Sequence, residues 1–275
     1  MNAHTTAATA KPGSAIAGRS PIASLLRLAT LAACAVLLGM PWSRAAVAQA
    51  APDYAALMAA PGRSDADRAN DKRRNPVKLL AFTGVRPGMK VLDMGAGAGY
   101  STDILARVVG PTGTVYAQNP PEMAERVKDR LEQRIATLPA KNVILDARPT
   151  DDAFPPEAKN LDLVTFFFAY HDTTYQPVDR AKMDKAIFDA LKPGGSLVIA
   201  DHAANAGDGA KVGKTLHRIE KATLEKEVEA AGFKLVDEGT FLRYPGDPHT
   251  EPVFQRDKNN EPIDEFVLRF EKPRS

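Results

Sequence analysis

From Pro76 onward, short apolar runs alternate with segments whose apolar residues recur every three or four positions. Residues 90–94, 114–117, 143–145, 161–168 and 196–201 read as strands. Between them, Ile104, Leu105, Val108 and Val109 share one helical face, closed by Gly110-Pro111. Met123, Val127, Leu131 and Ile135 mark a second face, and Met183, Ile187, Phe188 and Leu191 a third. Leu224, Val228 and Ala231 mark a fourth, ended by Gly232. Regular strand–helix alternation predicts a parallel sheet covered by helices on both faces. The pattern then changes: 233–238, 240–243 and 266–270 are strand-like with no helix between them, which predicts an antiparallel C-terminal edge with a turn at Asp257-Lys258-Asn259-Asn260. Nothing divides this region, so 76–275 is expected to be one domain, preceded by an alanine-rich, then charged, approach of surface helix and loop over 51–75.

The first fifty residues follow a different rule. A basic and polar stretch ends at Arg27, an apolar run extends from Leu28 to Met40, and small residues lead to Ala48-Gln49-Ala50. That order is a signal peptide over 1–50, with cleavage before Ala51, and it predicts an exported protein, periplasmic or secreted, with no stable membrane anchor after cleavage. Leu31-Ala32-Ala33-Cys34 is similar to a lipoprotein signal, but the apolar run continues past Cys34 and ordinary cleavage fits better. The leader distorts the overall charge of +2, because it holds four basic residues and no acid; the remainder has 32 basic and 34 acidic residues. A chain so balanced has no global attraction to nucleic acid, and a small-molecule partner is expected instead. The single cysteine, Cys34, lies in the leader, which leaves the rest without disulfide, thiolate ligand or cysteine nucleophile. Oligomeric state is not legible.

Val91-Leu92-Asp93-Met94-Gly95-Ala96-Gly97-Ala98-Gly99-Tyr100 is a strand entering a glycine turn before a helix. Glycines open backbone angles closed to other residues and let a ligand approach the main chain. The spacing is not the G-x-G-x-x-G of dinucleotide sites, and an acid stands two residues before the first glycine. A carboxylate there repels phosphate and suits an ammonium group.

In these residues the chain resembles the class I S-adenosylmethionine-dependent methyltransferases, whose first motif is (D/E)-x-G-x-G-x-G; Asp93, Gly95, Gly97 and Gly99 fill its four positions. Leu191-Lys192-Pro193-Gly194-Gly195-Ser196-Leu197 resembles the family's turn into the fifth strand. The resemblance, closest to a group of predicted exported members, implies a seven-stranded, doubly wound, mostly parallel Rossmann-like α/β sheet and S-adenosylmethionine as cofactor. It places Asp93 near the cofactor's amino-acid end and Asp146 near its adenine. The family's usual acid after the second strand is missing; Gln118 and Asn119 stand there and offer uncharged hydrogen bonds to ribose hydroxyls.

In open α/β sheets ligands lie beyond the carboxyl ends of the strands. Tyr170-His171-Asp172 follows the fourth strand and Asp201-His202 the fifth, so both sets are expected at the mouth of the site. A catalytic reading makes His171 or His202 a general base with Asp172 or Asp201 as orienting partner; a structural reading makes them strand caps. His217 and His249 lean toward structure. A divalent ion between Asp172, Asp201 and a histidine is open, but the spacing does not require one and no metal ligand is assigned. Phe166-Phe167-Phe168 reads as core, and Tyr100 and Tyr170 as pocket-shaping residues. Besides a methyltransferase of unidentified acceptor, a non-catalytic nucleoside-binding protein and an NAD-dependent oxidoreductase remain as alternatives.

Overall fold

Valine, leucine, isoleucine and phenylalanine alternate sides along the central strands, and two apolar layers follow from that alternation. The computed structural model describes residues 51–274. The predicted leader and Cys34 lie outside the described residues. The strands β1 (Lys90–Met94), β2 (Thr114–Gln118), β3 (Val143–Asp146), β4 (Leu161–Phe167), β5 (Leu191–His202), β6 (Lys234–Gly239) and β7 (Glu265–Glu271) form one sheet in the order β3-β2-β1-β4-β5-β7-β6. Strands β1 to β5 pair in parallel, whereas β7 runs antiparallel to both β5 and β6. The predicted sheet and its antiparallel edge are therefore present.

The helices α1 (Tyr54–Ala59), α2 (Asp65–Arg74), α3 (Pro76–Thr83), α4 (Tyr100–Val109), α5 (Pro121–Ala136), α6 (Arg180–Ala190), α7 (Gly213–Leu216), α8 (Lys221–Ala230) and α9 (Val253–Lys258) cover it. On one face Leu92, Phe166, Ile199 and Leu268 pack with Met183 and Ile187 of α6 and Leu224 and Val228 of α8. On the other, Val91, Leu163, Val198 and Val267 pack with Leu79 and Leu80 of α3 and Ile104 and Leu105 of α4. Burying side chains at roughly 1.5–3 kcal/mol each, these layers hold the carboxyl ends of β1, β4 and β5 side by side. No helix among the described residues is long and apolar enough to cross a membrane.

The expected elements need four corrections. Residues 240–243 form a turn, not a strand, and β6 pairs directly with β7. Asp257 and Lys258 end α9, so only Asn259-Asn260 is turn. Strand β5 begins at Leu191, which pairs with Leu161, and the register then shifts so that Ser196 pairs with Leu163 and Lys192–Gly195 bulges between them; a side chain at Gly195 would stand 3.0 Å or less from two carbonyl oxygens. Finally, 51–75 is not a surface approach. Tyr54, Met58, Arg63 and Asp67 are buried, since α1 adds Tyr54 and Met58 to the second layer and the Tyr54 hydroxyl donates to Val85 O at 2.8 Å.

Candidate active site

The loop between β1 and α4 turns through three glycines with positive φ, at 61°, 55° and 84° for Gly95, Gly97 and Gly99. A Cβ at Gly99 would stand 2.5 Å from Leu131 Cδ1 on α5, so this glycine lets helix and loop pack closely. A Cβ at Gly95 would crowd Ala169 at 3.1 Å. At Gly97 nothing but its own loop's carbonyl comes as near as 4.0 Å, so the main chain there faces open space.

Asp93 is fully buried. Its Oδ2 accepts from the hydroxyls of Ser101 and Thr102 at 2.8 and 2.7 Å, and its Oδ1 from Thr165 at 2.9 Å. Where the sequence suggested an ammonium partner, the carboxylate meets three hydroxyls of the chain itself and braces the start of α4 against β4 from inside. Burial pushes its pKa upward against the pull of those three donors. Gln118 and Asn119 are also turned inward. Gly95 N donates to Gln118 Oε1 at 3.2 Å, and Gln118 Nε2 donates to Arg148 O at 2.7 Å. Gly97 N donates to Asn119 Oδ1 at 2.8 Å, and Asn119 Nδ2 returns a bond to Gly97 O at 3.1 Å. Gln118 has no exposed surface for a ribose, whereas Asn119 lines the cleft. Asp146 ends β3 beside a cavity of about 280 Å³; its Oδ2 has no hydrogen-bond partner, and burial pushes its carboxyl up to about 6.

A narrow cavity of about 60 Å³ lies between Gly95, Asn119, Phe166, Ala169 and Asp172. It shares Pro120, Met123, Thr150 and Gln176 with an open cleft of about 600 Å³ along Pro121, Pro149 and Val178. The continuous space is of the size that small-molecule sites occupy.

At the ends of β4 and β5, His171 is held on both ring nitrogens. Its Nδ1 lies 2.7 Å from Asp201 Oδ1 and its Nε2 3.2 Å from Asp172 Oδ1, while its backbone N–H donates to Asp201 Oδ2 at 2.8 Å. Burial opposes its charge, but the two carboxylates prevail and raise its pKa to about 10. Burial likewise acts to raise Asp172, and the His171 contact outweighs it and holds that carboxyl below the ordinary range. Asp201 and His171 thus form the expected pair across the two strand ends. His202 is buried beside this pair, its ring centroid 5.5 Å from that of His171. Its ring stacks on Phe168 at 5.4 Å, and its Nδ1 lies 3.0 Å from Glu265 Oε1 of β7, a partner that the sequence did not reveal. Burial drives His202 well below, and Glu265 up to about 8, the ordinary values of each.

His217 closes the mouth. Gly213 of α7 lies against the backbone of 171–174, where a Cβ would be 2.8 Å from His171 O, and this contact brings His217 Nδ1 to 3.5 Å from Asp172 Oδ1. Phe254 packs over the His217 ring at 4.4 Å, and the Tyr175 hydroxyl donates to Asp172. His249 lies elsewhere, against Asp264. Tyr170 is wholly buried with its hydroxyl between Asp184 and Glu227, so it belongs to the core. Phe168, expected in the core, instead leaves the strand with φ 58° and lies under the Arg74 guanidinium, 4.6 Å away.

The sequence reading missed the contribution of 51–75. Arg63 pairs with Asp71, whose Oδ1 accepts the Tyr100 hydroxyl at 2.6 Å. Arg134 of α5 makes two bonds to Asp67, at 2.7 and 2.9 Å, and one to Ala98 O. Half-buried Arg74 sits over Tyr100 and Phe168, and its Nε makes no hydrogen bond among the described residues. The acid and basic positions in 63–74 were the available signal; their charge made them read as solvent-facing.

Residues 75–227 match the family described as protein-L-isoaspartate(D-aspartate) O-methyltransferase. The ubiquinone/menaquinone biosynthesis C-methyltransferase UbiE of Cupriavidus necator is 29% identical over 166 residues, 60% of this chain and 61% of that protein. The protein-L-isoaspartate O-methyltransferase of Ignicoccus hospitalis is 32% identical over 116 residues, 42% of this chain and 48% of the relative. The match therefore spans less than two thirds of these relatives. The structure of an S-adenosylmethionine-dependent methyltransferase from Aquifex aeolicus shares the fold, with TM-score 0.54 and 19% identity over 80% of this chain and 98% of that one.

Proposed function

The chain belongs to the protein-L-isoaspartate(D-aspartate) O-methyltransferase family, within the class I S-adenosylmethionine-dependent methyltransferases, and from that premise we propose that it transfers a methyl group to an acceptor bound at the mouth beside Asp172 and His217. The carrying observation is the cleft that begins beside Gly95 and Asn119 at the glycine loop and continues to Asp172. These residues fit the cofactor. Asn119, Thr150 and Gln176 offer polar contacts beside Gly95, and Pro120, Met123 and Phe166 offer apolar walls. Asp146, with its unpartnered oxygen, is the acceptor for an exocyclic amine. When bound, S-adenosylmethionine supplies an electrophilic methyl group on a sulfonium.

The chain's own residues then position the acceptor. Asp172 and His217 face it, His171 and Asp201 fix the Asp172 carboxylate, and Phe254 and Tyr175 provide aromatic surface. Holding the acceptor in line is where most of the rate enhancement would arise. The acceptor is proposed to be a small molecule, and its identity is not carried by the family, since the two relatives above are named for different acceptors. The protein is further proposed to act outside the cytoplasm after cleavage before Ala51, on the order of basic, apolar and small residues in the leader; intact mass of the protein from its native cell checks this.

The test is calorimetric titration with S-adenosylmethionine, S-adenosylhomocysteine and NAD, followed by methyl transfer to a panel of phenols, thiols, amines and carboxylates. Binding of the first two and not NAD is expected, with transfer to one acceptor class. Binding without transfer to any class would favour a non-catalytic binding protein, and binding of NAD alone would overturn the assignment.

A further inference from the structure

We propose that His171, Asp172 and His217 form a binding site for one divalent first-row transition-metal ion at the mouth of the cleft. Each offers one ligand atom, and the three atoms all lie within 4.8 Å of one another. The His171 Nε2 to Asp172 Oδ1 distance is 3.2 Å, and the His217 Nδ1 to Asp172 Oδ1 distance is 3.5 Å. Ligands at about 2.0–2.2 Å from a shared tetrahedral ion stand about 3.3–3.5 Å apart, so these two separations need little adjustment.

The surroundings are those of a ligand set rather than of a salt bridge. His171 gives its Nδ1 to Asp201, which fixes the ring and leaves Nε2 directed at the cluster, the arrangement by which carboxylates orient metal-bound imidazoles. Asp201 cannot itself be a ligand as the sequence allowed. Its oxygens already accept from the backbone N–H groups of His171 and His202 and meet the His171 ring. His217 supplies the third atom in its place, and its buried Nδ1 makes no hydrogen bond among the described residues. The His217 backbone is held by its N–H bond to Gly213 O and by its neighbour Arg218, which is wholly buried on Asp247. Cluster geometry is therefore preset before an ion arrives.

Two imidazoles and one carboxylate favour zinc, cobalt, nickel or ferrous iron over magnesium or calcium, which take all-oxygen sets. Asp172 and His217 side chains are 29% and 22% exposed, so the remaining coordination positions are open to the mouth. An oxygen-bearing acceptor would reach the ion there. Ion binding does not need methyl transfer, so the site rests on the proposed function only for that last role.

The experiment uses the full chain made metal-free with chelator and titrated with cobalt(II), read by visible absorption and by metal content after gel filtration. One equivalent is expected, displaced by zinc(II) and not by magnesium(II). His217→Gly, chosen because position 217 has φ 53°, should abolish binding, and Asp201→Asn should weaken it by about 10–100-fold. Should His217→Gly fail to fold, paramagnetic broadening of the His171 and His217 ring signals in the unmutated protein decides. Absence of cobalt absorption, absence of broadening at those rings, or unchanged binding in a folded His217→Gly protein would overturn the site. Titration of the metal-free protein with S-adenosylmethionine is run in parallel, so failure of the ion and failure of the cofactor are read separately.

Discussion

Replacing Asp93 separates a structural brace from a cofactor contact. Asp93→Ala strands the hydroxyls of Ser101, Thr102 and Thr165, of which the two threonines are fully buried. Each buried donor left without an acceptor costs about 1–3 kcal/mol. Rotation of the hydroxyls toward other acceptors, and relief from burying a carboxylate, reduce the sum. A net loss of about 3 kcal/mol follows, which for a domain of this size lowers Tm by about 6–12 °C. Asp93→Asn keeps the shape and one accepting oxygen and should lose about half as much. Thermal and urea unfolding followed by circular dichroism measures both, with S-adenosylmethionine titration at a temperature where each variant is folded. An Asp93→Ala protein with the unmutated Tm and no cofactor affinity would refute the brace and restore a direct contact.

The glycines should divide by what surrounds them: Gly97→Ala costs about 1–2 kcal/mol of backbone strain and, by filling the open side of the loop, weakens S-adenosylmethionine binding, whereas Gly99→Ala meets Leu131 and mainly lowers Tm. Equal effects of both on affinity and stability would count against that division. Glu265, held protonated up to about pH 8 by burial, and His202, held neutral by burial, offset each other in the acid range. Above about pH 6.5 the unfolded chain has lost these protons while folded Glu265 keeps its own, and His171, raised to about 10, keeps one as well; stability falls between pH 6.5 and 8, by up to about 1.4 kcal/mol per pH unit for each of the two groups. Urea midpoints across that range should show the slope, and Glu265→Gln should remove the Glu265 share of it. Asp247→Ala leaves the wholly buried Arg218 without its carboxylate and should cost about 3–5 kcal/mol in urea unfolding; a loss below about 1 kcal/mol would show that Arg218 finds other partners.

Where a residue's role depends on periodicity or local turn geometry, it was readable from the chain. The alternation that placed β1 to β5, the glycine turn after Met94 and the positions of His171 just beyond β4 and Asp201 at the end of β5 all belong to that class. Contacts across the sheet or between distant segments were not readable. Gln118 and Asn119 occupy the ribose position in the sequence, yet their amides turn to bond the glycine loop because Gly95 N and Gly97 N lie within reach only after β1 and β2 align. Glu265 meets His202 through an antiparallel register between β5 and β7. Thr240 to Arg243 has strand-forming residues but turns, because β7 already pairs with both β5 and β6 and offers no third edge. Arg63 and Asp67 are buried in pairs with Asp71 and Arg134, whereas charge alone signals exposure.

The same contrast bears on how the acceptor is activated. A general base needs a free lone pair within reach of the acceptor's proton. His171 has none to offer as it stands, because Asp201 and Asp172 meet its two nitrogens. His202 is neutral but buried beneath Phe168 and against Glu265, with its ring 5.5 Å from that of His171. The groups that reach the open mouth are instead Asp172, His217 and Tyr175, and the buried pair of His171 and Asp201 stands behind them. Within the proposed ligand set His171 is the inner imidazole, oriented by Asp201, and Asp172 and His217 are the outer members. On that reading the acceptor is positioned by the rim residues rather than deprotonated by a free histidine. His171→Ala would remove both a proposed ion ligand and a partner of Asp172, so His171→Gln, which can still donate to a carboxylate, should retain more turnover than His171→Ala on whichever acceptor is found.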